Sequence, residues 1–254
     1  MLRPLFAALL WPLAAWTQAP PIPEPPPAPV YGPELEGFTY PFPPRRFEFT
    51  SQGVKLHMAF MEVLPERPNG RTVVLLHGKN FTGATWEPSM RVLAKAGYRV
   101  LAPDQVGFGA LMFPEEVEQL VLVNPIGLED WKAEGVPVPT VDPWYQRELQ
   151  VTAERIRAYE RATYYAGQWR PEFEPPVGML VGLFQGPGRS LVAWNSALVY
   201  DMICTQPVVY EFGRLAAQRI PGARLVEFPG LGHAPQIQDP DAFHAALLEG
   251  LAHR

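Results

Sequence analysis

Apolar and polar positions alternate at Phe47 to Thr50 and again from Val54 to Val63, on either side of Gly53, which predicts two antiparallel strands joined by a tight turn. Arg71 to Leu76 is a short apolar, β-branched run ending in His77 and Gly78. A helix is predicted from Trp86 to Ala96, and a buried strand from Tyr98 to Ala102, closed by Pro103 and Asp104. Strand, loop, helix, strand is the order of a parallel βαβ unit. Leu120 to Val123, closed by Asn124 and Pro125, predicts a further strand of the same type, so the sheet is expected to be mainly parallel. From Ile126 to Phe212 the strand pattern stops, and Val151 to Tyr165 takes on helical spacing with Tyr159, Tyr164 and Tyr165. An inserted helical cap is therefore expected over about 126–212. Arg224 to Phe228 predicts a return to the sheet, and a last helix from about Asp239 to Leu251 has Asp239 as N-cap and Pro240 in its first turn.

The amino-terminal end has a different pattern. Arg3 precedes an apolar run from Leu5 to Trp16 and a small-residue site follows near Ala19, the layout of an export signal over 1–19. The run is shorter than the roughly 20 residues that a permanent span requires. Pro20, directly after Ala19, suits cleavage poorly, so an uncleaved membrane anchor is the alternative. A proline-dense stretch over 20–45 predicts an extended tether without catalytic residues, and folded sequence is expected from about Arg46, giving one domain over 46–254. The expected location is the periplasm or the exterior.

Composition narrows the chemistry. A formal net charge of −5 without a dense Lys/Arg run is not the electrostatic footprint of a nucleic-acid binder. Cys204 is the single cysteine, which excludes an intrachain disulfide and Cys-based metal or redox motifs. No pattern calls for a metal or an organic cofactor, and the expected partner is a small-molecule substrate.

Three segments, VVLLHGKNFTGATW (Val73 to Trp86), RVLAPDQVGFG (Arg99 to Gly109) and GLGHAPQIQDPDAFHAALLEGL (Gly230 to Leu251), together resemble parts of the α/β-hydrolase superfamily. VVLLHGKNFTGATW, Val73 to Trp86, is similar to the strand that ends in His-Gly and enters the oxyanion loop. Exposed amides after such a strand can be aimed at a developing negative oxygen. The resemblance implies Lys79 and Asn80 as oxyanion-hole residues, with His77, Gly78 and Phe81 supporting the loop; taken by itself the segment also fits a plain βα loop. RVLAPDQVGFG, Arg99 to Gly109, resembles the family's next strand and its Asp-x-x-Gly-x-Gly turn, and implies a structural Asp104. GLGHAPQIQDPDAFHAALLEGL, Gly230 to Leu251, resembles the last strand, the catalytic histidine loop and the closing helix. It implies His233 as general base and acid. His57, His244 and His253 lack such a context and are expected at the surface or in packing.

The fold implied is an α/β-hydrolase-like, mainly parallel sheet with helices on both faces and a helical cap. Two inner strands of that fold are missing from the sequence. No Gly-x-Ser-x-Gly pentapeptide occurs, nor one with Asp or Cys at its centre, so the nucleophile is unassigned. Ser51, Ser89, Ser190 and Ser196 are the only serines; Ser190, in GPGRS, is expected in a loop of the cap. Between Ala102 and Leu120 the chain is too short for the helix, strand and helix that the family fits there, so the join near Ala110 resembles an in-frame excision. A second break lies near Phe212, where the strand that should carry the triad acid is absent. The acid is unassigned as well, with Glu129 and Asp130 as weak candidates after the Leu120 strand.

The resemblance implies an ancestral ester-type hydrolase using Ser-His-acid chemistry on a small, partly apolar substrate. Trp131, Trp144, Trp169 and Trp194 would suit such a pocket, but core packing is the preferred reading for most of them. A catalytically inactive binding protein, or the truncated product of a misassembled coding sequence, are the alternatives that the missing strands raise.

Overall fold

A computed structural model describes residues 29–51, 53–104, 119, 121–123, 135, 137–205 and 224–252. Among them a four-stranded mixed sheet has the order β1 (Pro44–Ser51), β2 (Val54–Val63), β4 (Arg99–Pro103), β3 (Thr72–Val74). The predicted hairpin is present: β1 and β2 pair antiparallel from Pro44–Met61 to Ser51–Val54, and Gly53 takes the positive φ of its turn. β2 also pairs antiparallel with β4, whereas β3 and β4 are parallel, with Val73 opposite Val100. The βαβ prediction is thus met by β3, α1 (Glu87–Lys95) and β4. The ladder of β3 ends early, although the Leu75 amide still reaches the Leu101 carbonyl at 2.8 Å.

The described sheet is mixed because the other parallel strands expected from the sequence form no ladder. Val121 to Val123 are without strand structure, and so are Arg224 to Phe228, a correction to both assignments. Their neighbours in a complete sheet would be the two strands absent from the sequence, and a strand cannot exist without a partner for its amides and carbonyls. Leu120, Asn124, Glu129, Asp130, Trp131 and His253 lie outside the described residues, as do the export signal and the joins near Ala110 and Phe212.

One apolar core lies between the sheet and the helices α1 and α7 (Pro240–Ala252), around Met61, Met90, Leu93, Val100 and Leu247. Asp239 caps α7 as predicted, its Oδ1 accepting the Ala242 amide at 3.1 Å. Arg71, at the start of β3, donates to the Leu251 carbonyl at 2.9 Å, satisfying a terminal carbonyl of α7 and tying that helix to the sheet.

A second core belongs to the helical region, α2 (Val141–Glu148), α3 (Ala153–Thr163), α4 (Glu174–Gln185) and α5 (Arg189–Thr205), with a short α6 (Pro235–Gln238) before α7. Its centre is Tyr165 stacked on Phe173 at 4.0 Å, with Ile156, Val177 and Ala234 around them. The helix expected over Val151 to Tyr165 is α3, whose N-cap Thr152 accepts the Arg155 amide at 3.2 Å. Ser190 stands in the first turn of α5, exposed, rather than in a loop. Trp144 stacks on Tyr200 at 4.5 Å and Trp169 packs against the Tyr165 cluster, but Trp194 is 38% exposed and sits outside the core.

Residues 29–40, within the stretch expected to be an extended tether, form a strap packed on the domain. The Tyr31 amide donates to the Gly182 carbonyl at 3.2 Å, and a Cβ at Gly182 would come within 2.5 Å of the Pro29 carbonyl oxygen. Only glycine allows the strap this close to α4. From there Tyr31, Phe38 and Tyr40 form a chain of edge-to-face rings, ending where the Tyr40 hydroxyl donates to Asp104.

Candidate functional site

The chain between β3 and α1 turns sharply, with the Phe81 amide donating to the Gly78 carbonyl at 3.1 Å. This turn leaves the Lys79 and Asn80 amides outside the backbone hydrogen bonds of the described residues. His77 donates from Nδ1 to the Gly78 carbonyl at 2.8 Å; burial pushes its pKa down, against that bond and the charge of Asp104.

Asp104 has the structural role expected of it. One oxygen accepts the Gly83 amide at 2.7 Å and the other accepts the Tyr40 hydroxyl, so the carboxylate holds the loop, the strap and the end of β4 together.

On the far side of the site the histidine loop is set by backbone contact. A Cβ at Gly232 would lie 2.5 Å from the Tyr164 carbonyl oxygen and 2.9 Å from the Ala166 nitrogen, so the loop lies directly on the end of α3. The Gly232 amide donates to Gln238 Oε1 at 2.6 Å and the Ala234 amide to the Tyr164 carbonyl at 3.3 Å. His233 is thereby placed edge to face with the Tyr164 ring, centroids 4.9 Å apart. Burial lowers its pKa, which keeps the imidazole neutral at pH 7.

Tyr164 also receives the first loop. Phe81 meets its ring edge to face at 5.2 Å, and Asn80 Nδ2 donates to its hydroxyl at 3.4 Å. Asn80 Nδ2 is 2.9 Å from Glu160 Oε1, one helical turn before Tyr164. Residues about 150 positions apart in the chain therefore converge on one face of α3. Lys79 faces the same region, its Nζ 3.4 Å from the centroid of the Tyr200 ring.

Glu160 is a residue that the sequence analysis missed. It is 1% exposed, and its Oε2 has no hydrogen-bond partner among the described residues. Burial raises its pKa to about 7, against the Asn80 hydrogen bond and the charge of Lys79. A signal was present: Ile156, Glu160 and Tyr164 recur every four residues, so a carboxylate interrupts the apolar face of the helix.

A second Ser-His pair belongs to packing. Ser89 Oγ lies 2.8 Å from His244 Nε2, both residues buried where α1 meets α7. Ser89 is inside a helix, where no loop amides can stabilise an oxyanion, and His244 has the packing role expected of it. His57 is at the surface beside Glu34 and Arg46.

A His-Gly loop at a strand end, opposed by a glycine-rich histidine loop under helices, is the architecture of an α/β-type hydrolase. No family model matches the chain. The chain belongs to the α/β-hydrolase superfamily, as two similarities show. It is 47% identical to a probable hydrolytic enzyme from Pseudomonas aeruginosa PAO1, with a TM-score of 0.83 over 88% of this chain and 99% of that one. It is 36% identical to Protein ABHD14A of Danio rerio over 208 residues, 76% of this chain and 71% of that protein. An esterase from Exiguobacterium antarcticum, at 16% identity and a TM-score of 0.53 over 78% of this chain and 96% of that one, shares the fold.

Proposed function

We propose that this chain binds a small, partly apolar ester and hydrolyses it slowly, with water replacing the serine nucleophile. One observation carries this: Tyr164 gathers Phe81 and Asn80 of the first loop and His233 of the second around one point. In that frame the Lys79 and Asn80 amides receive the developing oxyanion, and His77, Gly78 and Phe81 keep their loop in place. Neutral His233 takes a proton from water as the hydroxide adds to the acyl carbon, then returns it to the departing alkoxide. Without an attacking serine the rate is expected to fall by orders of magnitude below that of a complete triad.

Comparing p-nitrophenyl ester hydrolysis by the native chain and His233→Ala tests this; equal background rates in both would sink the proposal. Tight binding of an apolar ester with no turnover would instead support a binding protein.

The truncated-product reading is favoured by a separate observation, the exposed apolar residues Val74, Val121, Leu122, Leu225 and Val226 where strands are missing. Resequencing the locus and its transcript across Ala110 and Phe212 decides it, since an uninterrupted 254-residue frame rules it out. The pattern over 1–19 supports export to the periplasm or exterior, for which cell fractionation is the test, and retention in the membrane fraction would indicate an uncleaved anchor.

A further inference from the structure

The site brings an amine, rather than a hydroxyl, to the carbonyl-binding loop. Lys79 is half-buried, follows His-Gly directly, and makes no ion pair with a described residue; its Nζ rests on the face of Tyr200. An aromatic face stabilises an ammonium less than a hydrogen-bonded carboxylate or full hydration does. The charged groups around it are Glu148 on α2 and Glu160 on α3, which act through space, while Tyr200 on α5 is held in turn by a hydrogen bond to Tyr159. Both carboxylates have other partners: Glu148 accepts the Ser196 hydroxyl at 2.8 Å, and Glu160 accepts Asn80.

We propose that Lys79 Nζ is an acyl-accepting nucleophile, which takes the acyl group of an aryl ester or a thioester and keeps it as a stable amide. The proposal rests on the assignment of the His77 to Phe81 loop as the carbonyl-binding loop. The neutral amine adds to the acyl carbon, and the carbonyl oxygen takes up the displaced electron pair beside the loop amides. When the carbonyl re-forms, the C–O or C–S bond breaks and the phenolate or thiolate leaves with its electrons. Nζ gives one proton to solvent, so the products are an Nε-acyl-lysine and a phenol or thiol, with no oxidant or cofactor consumed. Desolvation supports this chemistry, since it lowers the Lys79 pKa to about 8 and so supplies free amine near neutral pH.

The chain contains four lysines, Lys55, Lys79, Lys95 and Lys132, which makes the modification straightforward to locate. The full chain is incubated with p-nitrophenyl acetate from pH 6 to 10, and acetylated peptides are quantified by mass spectrometry after cleavage at glutamate. Lys79 is expected to be acetylated about tenfold or more faster than the exposed Lys55 and Lys95 at pH 7.5, on a pH profile centred near 8. A rate equal to or below those two references, or a profile that does not bend near 8, overturns the proposal. His233→Ala is run in parallel. Rapid Lys79 acetylation in both proteins supports the proposal whether or not hydrolysis depends on His233. His233-dependent hydrolysis without preferential Lys79 acetylation overturns the proposal and leaves the hydrolase assignment intact.

Discussion

On one side of the sheet, β2 is paired along both edges, with β1 over its whole length and with β4 at its end, and Met61 and Val100 are completely buried there. On the other side β3 has a single partner among the described residues, Val74 is 52% exposed, and Leu225, in the segment that should rejoin the sheet, is 60% exposed. Both sides are rich in apolar, β-branched residues, so propensity does not separate them. The difference is the availability of a neighbour: an apolar run becomes a buried strand only where another strand completes its hydrogen bonds.

Substitutions on the two sides should differ in cost, and the largest effect is expected on the paired side. Met61→Ala removes a fully buried side chain and should cost about 2–5 kcal/mol, read as a lower urea midpoint. Next comes Glu160, whose pKa of about 7 in the folded chain exceeds its ordinary 4.5. Below pH 4.5 it is protonated in both states. As pH rises from 4.5 to 7 the unfolded chain ionises first, so stability falls by on the order of 2–3 kcal/mol from this group. Glu160→Gln should flatten that part of the pH–stability curve, and an unchanged slope would show that another group causes it. Ser89→Ala leaves buried His244 Nε2 without its partner and should cost about 1–3 kcal/mol in thermal or chemical unfolding. Val74→Thr, on the unpaired side, should change stability by less than about 0.5 kcal/mol. A cost near that of Met61→Ala would show that the β3 side is packed in solution.

What could be read from the sequence divides along the same line. The β1–β2 hairpin, the β3–α1–β4 unit and α7 with its Asp239 cap follow from local alternation, helical spacing and turn residues, so they could be predicted residue by residue. Arg224 to Phe228 has as good a strand pattern as Arg99 to Pro103 but no ladder, because pairing is decided by residues far away in the chain. At the site, His233 and the His77 to Phe81 loop were legible as motifs, whereas Tyr164 as their meeting point was not. Their convergence depends on how α3 packs, and Gly232 has to be a glycine because of the Tyr164 to Ala166 backbone against it. The packing of Pro29 and Tyr31 of the proline-rich segment was equally hidden, since it depends on Gly182 in a helix over 150 residues later.

The proposed hydrolysis uses the His77 to Phe81 loop and His233 without a serine nucleophile. A fluorophosphonate probe, which phosphonylates activated serines, tests it by intact mass and peptide mapping. No adduct is expected on Ser51, Ser89, Ser190 or Ser196, while p-nitrophenyl ester hydrolysis remains slow and dependent on His233. Stoichiometric labelling of any one of these serines, lost in His233→Ala, would contradict it.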